Sequence, residues 1–200
     1  MSKRVVIFGA SGGIGSATYE VFKNAGYLVT PIAGRQINFV YMASHSDVDD
    51  ILEQVEPDII INCVGHFDKT NKETHCNTFD VNVGSNWSII RHYINKQVSD
   101  KPIKIIMVGS SAYKSGRKDY ILYAASKAAL YNVWQGASEY FQGTNVTLGL
   151  LNPVRTRTPM IDMSTEDICL EPMDVAQAIL NMTSVSSNEL VDMKYPEETK

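Results

Sequence analysis

A phenol and an ammonium group stand four residues apart in the segment YAASK, at Tyr123 and Lys127. The residues around them are strong helix formers, and four residues is about one helical turn, so both side chains are expected on one helix face. A fixed ammonium group stabilises a neighbouring phenolate, and we expect the pKa of Tyr123 to lie below its usual value of about 10. Tyr123 is therefore a candidate general acid. An isolated pair at this spacing is more often part of an ordinary surface helix. The remaining motifs therefore decide whether this pair is catalytic.

A glycine-rich turn, residues 9–15 with sequence GASGGIG, separates an apolar run at 4–8 from a segment with apolar residues at helical spacing. The β-branched run suits a strand buried on both faces of a parallel sheet. Such a turn lets the backbone approach a pyrophosphate, whose charge then lies on free N–H groups at the helix N-terminus. The glycine spacing in this strand–turn–helix context predicts a nucleotide site.

The choice between NAD and NADP depends on the residue that meets the adenosine ribose after the second strand, which we place at 28–33. An acidic residue would accept a hydrogen bond from the 2′-hydroxyl of NAD, whereas an arginine accommodates the 2′-phosphate of NADP. The sequence here is Gly34-Arg35-Gln36, without an acid. We therefore predict that NADP(H) is preferred, with Arg35 over the phosphate, and that NAD(H) is the alternative. If Arg35 is only a solvated loop residue, the choice between NADP and NAD stays open.

Strands and helices alternate along the chain at intervals of about 25 residues. Further strands are predicted at 37–42, 57–65, 103–108, 145–151 and 189–193, with helices at 47–55, 79–94, 123–141 and 173–182. This pattern predicts an α/β fold, a single doubly wound domain over residues 1–200 with a parallel sheet of about seven strands. Ligands in such a sheet bind at the carboxyl ends of the strands.

Composition limits the classes of partner. The 200 residues contain 44% hydrophobic residues, which suits a globular core, and no apolar run is long enough to span a membrane. A formal net charge of −4 gives no basic field for nucleic acid. The three cysteines and four histidines show no disulfide or metal-ligand spacing. We expect a cytoplasmic protein with free thiols, no metal and a small-molecule substrate.

Taken together, these motifs resemble the short-chain dehydrogenase/reductase family over almost the whole chain. The matching segments keep a specific order and spacing, and they are 9–15, 62–65 (NCVG), 81–82, 109–111 (GSS), Tyr123 with Lys127, 152–153 and 158–160. The resemblance implies a Rossmann domain and an NAD(P)-dependent oxidoreductase.

The resemblance implies that Tyr123 is the proton donor and that Ser110 orients the substrate carbonyl. Ser111 is the alternative to Ser110 in this role. Lys127 would bind the nicotinamide ribose and lower the pKa of the tyrosine, while Asn82 would hold a water in the proton relay. Cofactor contacts are implied at Gly9, Ser11, Gly12, Gly13, Ile14, Gly15, Asn62, Val64, Gly65, Pro153 and Thr158, besides Tyr123 and Lys127.

Five cations lie near the expected mouth of the site: Lys114, Arg117, Lys118, Arg155 and Arg157. Because arginine suits phosphate recognition, they predict an anionic substrate, with Ser111 also in contact; solvated loop charge is the alternative. Segments 110–120 and 152–160 resemble the reductase half of bifunctional bacterial proteins that form CDP-ribitol, which reduce ribulose 5-phosphate with NADPH. The leading prediction is an NADPH-dependent reductase of an anionic sugar derivative, either a sugar phosphate or a nucleotide sugar.

Two other functions stay open. One is a reductase of a neutral ketone or acyl thioester. The other is a non-catalytic NADP(H)-binding regulator or assembly subunit, because the segments where substrate lids usually lie, 66–78 and after 160, are short. The family also implies a homodimer or homotetramer through the helices at 80–94 and 123–141.

Overall fold

The computed structural model describes residues 2–33, 45–68, 71, 77–96, 101–161 and 168–195. These residues form a six-stranded sheet in the order β2-β1-β3-β4-β5-β6, and every adjacent pair is parallel. The strands are β1 (Arg4–Phe8), β2 (Leu28–Ile32), β3 (Ile59–Asn62), β4 (Ile103–Val108), β5 (Val146–Asn152) and β6 (Glu189–Asp192). The predicted α/β fold is confirmed. Six of the seven predicted strands are present, and the seventh, at 37–42, lies outside the described residues.

The helices connect these strands in sequence. They are α1 (Gly13–Asn24), α2 (His45–Val55), α3 (Asn77–Phe79), α4 (Ser85–Asn95), α5 (Ile121–Tyr140) and α6 (Pro172–Met182). A π-helical turn, Asp80–Gly84, joins α3 to α4 in one continuous helical run, and a 3₁₀ turn, Ser111–Lys114, follows β4. Within the described part of the chain, no helix is long and apolar enough to cross a membrane.

Two apolar layers cover the two faces of the sheet. Because successive side chains of a strand point to opposite faces, Val6 and Phe8 of β1 join one layer, whereas Val5 and Ile7 join the other. The first layer includes residues of α2, α4 and α5, and the second includes residues of α1 and α6. Burial on both faces explains why the central strands are continuous apolar runs.

The order in which the strands are added to the sheet reverses beside β1. From β1 the chain moves outward to β2 and then returns to place β3 on the other side of β1. In an open parallel sheet this switch point leaves a crevice at the carboxyl ends of the strands. The turns after β1, β3, β4, β5 and β6 all lie at that end, so the motifs at these turns meet there.

Candidate active site

The glycine-rich turn after β1 is shaped by close backbone contacts. A Cβ atom at Gly15 would lie 2.0 Å from the carbonyl oxygen of Gly9, so only glycine lets α1 begin this close to the turn. Gly9 itself has φ +79°, and its Cβ would lie 2.9 Å from the Val64 nitrogen. The predicted contacts Ser11 and Gly12 lie exposed on this turn.

The first turn of α1 offers backbone donors for an anion. The Ser16 N–H donates to the Gly12 carbonyl over 2.8 Å, so the N–H groups of Gly13, Ile14 and Gly15 precede that first helical bond. Free N–H groups at a helix N-terminus bind phosphate well. The residues present therefore fit the pyrophosphate of a dinucleotide.

The loop after β5 packs against this turn. A Cβ atom at Gly13 would lie 2.7 Å from Cγ2 of Thr158. Pro153, at the start of the loop, is buried, and its carbonyl accepts a hydrogen bond from the Ser111 N–H over 2.9 Å. The structure thus brings the predicted cofactor residues of β1 and β5 together.

At the end of β3, the buried Asn62 side chain forms hydrogen bonds within the protein. Its Nδ2 donates to Ser85 Oγ and to Asn86 Oδ1, both over 2.9 Å, and its Oδ1 accepts from the Val64 N–H over 3.1 Å. The buried side chain therefore holds the turn that carries Val64 and Gly65. A Cβ atom at Gly65 would lie 3.6 Å from Asn82 Oδ1, which places that glycine beside the π-helical turn.

The predicted residue Asn82 is fully buried in the π-helical turn, a type of turn that is frequent at functional sites. Its Oδ1 accepts from the His66 N–H over 2.8 Å, and its Nδ2 donates to the His66 carbonyl over 3.0 Å and to Ser126 Oγ over 2.9 Å. The side chain thereby ties the loop after β3 to α5. Its predicted role in a proton relay stays a prediction.

Ser110 acts on Tyr123, because hydrogen bonding from the Ser110 side chain lowers the pKa of the Tyr123 phenol. Ser110 also begins the 3₁₀ turn, where its Oγ accepts from the Ala112 N–H over 3.2 Å. The Tyr123 ring packs edge-on against Phe67, with 4.8 Å between ring centroids. This contact favours Ser110 over Ser111 as the partner of the tyrosine.

The predicted lowering of the Tyr123 pKa is wrong. Burial raises that pKa above its ordinary value, and the hydrogen bond from Ser110 offsets only part of the effect. Lys127 lies against the face of the ring, with Nζ 5.6 Å from the ring centroid. Helical spacing placed both residues correctly, but it could not reveal how deeply the phenol is buried.

Lys127 is almost completely buried, and its Nζ donates to the Val108 carbonyl over 3.1 Å. Burial lowers the pKa of this lysine to about 8. The neighbouring Cys63 has the opposite response, because burial raises the pKa of its thiol to about 12 and keeps it neutral. The site therefore holds an ammonium group that loses its charge slightly above neutral pH.

Among the predicted substrate cations, Lys114 and Arg157 form ion pairs within the described part of the chain. Lys114 Nζ lies 2.7 Å from Asp192 Oδ2, and Arg157 Nε lies 2.9 Å from Glu171 Oε1. Arg117, Lys118 and Arg155 are exposed on the loops after β4 and β5. Arg35 lies outside the described residues. Part of the predicted positive charge is thus paired within the protein.

Four residues at the site were missed by sequence reasoning: His66, Ser126, and the side chains of Asn152 and Asp192. Asn152 and Asp192 each end a strand, and polar residues at the carboxyl ends of parallel strands are a signal that could have indicated them. His66 takes part through its backbone, for which the sequence carries no signal.

A parallel sheet with a glycine-rich turn after β1, and a serine–tyrosine–lysine group at the carboxyl ends of its strands, defines a nucleotide-dependent oxidoreductase. The family model described as short chain dehydrogenase matches residues 37–168, and the chain belongs to this family. Sequence reasoning had identified the family from its motifs, and that identification is confirmed.

Two curated relatives differ in how much of the chain they share. The 2,3-dihydro-2,3-dihydroxybenzoate dehydrogenase of Escherichia coli is 29% identical over 176 residues, covering 79% of this chain and 71% of the relative. The bifunctional ribulose 5-phosphate reductase/CDP-ribitol pyrophosphorylase Bcs1 of Haemophilus influenzae is 32% identical over 94 residues, covering 44% of this chain and 20% of the relative.

Solved structures support the fold. A 4-hydroxyisoleucine dehydrogenase complexed with NADH superposes with a TM-score of 0.80 at 22% identity, covering 96% of this chain and 97% of the other. A short chain dehydrogenase from Burkholderia cenocepacia in complex with NADP also has a TM-score of 0.80, at 16% identity, covering 96% and 88%. These related folds hold NADH in one case and NADP in the other.

Proposed function

We propose that the protein is an NADP(H)-dependent carbonyl reductase with Tyr123 as its proton donor. The observation that carries this proposal is the grouping of Ser110 and Lys127 beside Tyr123. Hydrogen bonding from Ser110 lowers the pKa of the phenol, and Lys127 lies against the same ring. A carbonyl oxygen placed beside these hydroxyls would receive two hydrogen bonds. Two donors aimed at one oxygen are what a reaction needs when negative charge develops there.

The cofactor would lie between the glycine-rich turn and the loop after β5. The N–H groups of Gly13–Gly15 would bind its pyrophosphate, Lys127 its nicotinamide ribose, and Arg35 the 2′-phosphate that distinguishes NADP. When bound, the cofactor supplies a hydride to the carbonyl carbon. The close packing of Thr158 on Gly13 supports this placement, because the loop covers the turn.

Tyr123 completes the reduction by giving its proton to the carbonyl oxygen. Because burial raises the pKa of Tyr123, the phenol carries this proton at neutral pH. The nearby ammonium group of Lys127 would stabilise the tyrosinate that forms as the proton leaves. Ser110 would hold the carbonyl oxygen without changing its own protonation state. Asn82 supports the arrangement by tying Ser126, three residues after the tyrosine, to the loop after β3.

We propose an anionic sugar derivative as the substrate. The partial similarity to Bcs1, named as a ribulose 5-phosphate reductase, supports a sugar phosphate. The exposed cations Arg117, Lys118 and Arg155 would bind its charge. Action in the cytoplasm as a homodimer or homotetramer stays a prediction.

A neutral ketone or acyl thioester is the second candidate. It is favoured by the aromatic residues around the proton donor, because Phe67 and Tyr120 both pack against Tyr123. The ion pairs of Lys114 and Arg157 also reduce the positive charge left for a substrate.

The test measures NADPH and NADH oxidation with pentose phosphates, hexose phosphates, neutral ketones and an acyl thioester. For a sugar phosphate we expect Arg117→Gln with Lys118→Gln to raise KM about tenfold, because each exposed cation contributes about 1 kcal/mol or less. Arg157→Gln is the matched control, with little change expected because Glu171 already pairs with that arginine. Turnover of neutral ketones, with KM unchanged in the double variant, would instead support the second candidate.

A further inference from the structure

The carboxylate of Asp192, at the end of β6, has three hydrogen-bond donors. Asn152 Nδ2 donates to its Oδ1 over 3.2 Å. Tyr113 Oη donates to its Oδ2 over 3.2 Å, and Lys114 Nζ lies 2.7 Å from the same oxygen. Partial burial acts to raise the pKa of Asp192, but the hydrogen bonds from Lys114, Asn152 and Tyr113 outweigh it and lower that pKa. Asp192 is therefore a carboxylate at neutral pH.

Asn152 connects this carboxylate to the serine that contacts Tyr123. It is buried at the end of β5, in register with Asp192, and its Oδ1 accepts from the Ser110 N–H over 3.1 Å. A Cβ atom at Gly109 would lie 2.0 Å from that same Oδ1. The glycine before Ser110 is thus required for the asparagine to come this close to the backbone.

The two ends of the Asn152 amide are not interchangeable here. If the amide were turned by 180°, its NH₂ group would face the Ser110 N–H and its oxygen would face the Asp192 carboxylate. Both contacts would be repulsive. A carboxylate at Asp192 therefore fixes the orientation in which Asn152 accepts the Ser110 hydrogen bond.

We propose that Asp192 is a positioning residue, which acts through Asn152 to hold the Ser110 hydroxyl against Tyr123. The inference rests on the proposed function, because it gives Ser110 a place in carbonyl reduction. It also assigns Lys114 to the support of Asp192 rather than to the substrate. Ser110, Asn152 and Asp192 form one hydrogen-bonded row across the carboxyl ends of β4, β5 and β6.

The kinetic test compares Asp192→Ala with two matched variants. Without the carboxylate, the Asn152 amide is free to turn and no longer holds Ser110 in place. We expect the displaced Ser110 hydroxyl to lower kcat by about tenfold to a hundredfold. Asp192→Asn keeps an oxygen that can accept from Asn152 and should restore kcat to within about threefold of wild type. Lys114→Gln removes a partner of Asp192 but leaves the contact with Asn152, so kcat should stay within about twofold, as rim ion pairs contribute little. The Kd for NADPH should be unchanged in all three.

A second readout needs no substrate. In ¹⁵N-labelled protein, the Ser110 amide resonance should shift and its hydrogen exchange should accelerate in Asp192→Ala, whereas both should stay unchanged in Lys114→Gln. If the alanine variant does not fold, Asp192→Val gives the same test, because valine suits a strand and offers no oxygen that could accept from Asn152.

The outcomes separate this inference from the proposed function. An unchanged Ser110 amide in Asp192→Ala, or an unchanged kcat in that variant, overturns the positioning role. If the wild-type protein reduces none of the carbonyls while the Ser110 amide still responds to Asp192→Ala, the contact is supported and the proposed function fails.

Discussion

The glycine-rich turn and the tyrosine side of the site are built from different parts of the chain. At the turn the backbone N–H groups are the proposed binding groups, and a Cβ atom at Gly9, Gly13 or Gly15 would lie within 3.0 Å of another atom. At the tyrosine side, the proposed working groups are the side chains of Tyr123, which is half-buried, and of Lys127, which is buried. One region thus depends on the absence of side chains and the other on their burial.

This difference has an energetic consequence. The turn uses peptide N–H groups that carry no net charge, so its formation requires no buried ion. The tyrosine side requires an ammonium group in a place where burial opposes its charge, which lowers the pKa of Lys127 from 10.5 to about 8. Lys127 therefore lowers the stability of the cofactor-free protein, and we propose that this loss serves the activity, as is common at active sites.

The largest effect on stability is expected from Gly15→Ala. Its Cβ would lie 2.0 Å from the Gly9 carbonyl oxygen, so α1 must move away from the turn. We expect a loss of about 3 kcal/mol in the free energy of unfolding, as for other overpacked sites. NADPH affinity should also fall by about a hundredfold, measured by fluorescence titration.

Gly136→Ala is the matched control within a helix. At Gly136, in α5, no described atom lies within 4 Å of the added Cβ. Alanine should raise the free energy of unfolding by about 0.5–1 kcal/mol and leave NADPH affinity unchanged. Equal effects of the two substitutions would show that the turn does not depend on close packing.

Lys127→Met should separate stability from activity. It removes a buried ammonium group, with a gain that exceeds the loss of the hydrogen bond to the Val108 carbonyl, so the cofactor-free protein should gain about 1–3 kcal/mol at neutral pH. Activity should be lost. Denaturant unfolding of wild type and variant measures the difference.

The pH dependence of that difference follows from linkage. Because the folded pKa of Lys127 is below the unfolded value, the wild type binds fewer protons when folded, and Lys127 makes its stability rise between pH 8 and 10.5. The gain from Lys127→Met should therefore shrink across this window. A variant no more stable than wild type at pH 7 would contradict the account.

The smallest effect is expected in the pH profile of the wild type. The kcat/KM for the cofactor reports on the free enzyme, and it should fall as the pH rises past about 8, where Lys127 loses its charge. Steady-state rates between pH 6 and 9.5 give this profile. A profile that stays flat across the range would mean that the lysine charge is not used.

The sequence predicted the elements and the backbone region better than the side-chain region. The apolar β-branched runs located β1 to β6, and the glycines located the turn, because both depend on local residue types. The directions of the pKa shifts at Tyr123 and Lys127 depend on burial depth, which no spacing records. The pairing of Lys114 with Asp192, 78 residues later, depends on which strand lies beside β5.

The most direct test of the account measures NADPH binding and turnover in Tyr123→Phe. The phenylalanine keeps the ring contact with Phe67 and removes the proton donor beside Ser110. We expect the Kd for NADPH to stay within about twofold and turnover of the best carbonyl substrate to fall by about 10²–10⁴, the range for a general acid. Turnover close to the wild-type rate in this variant would contradict the assignment of Tyr123 as the proton donor.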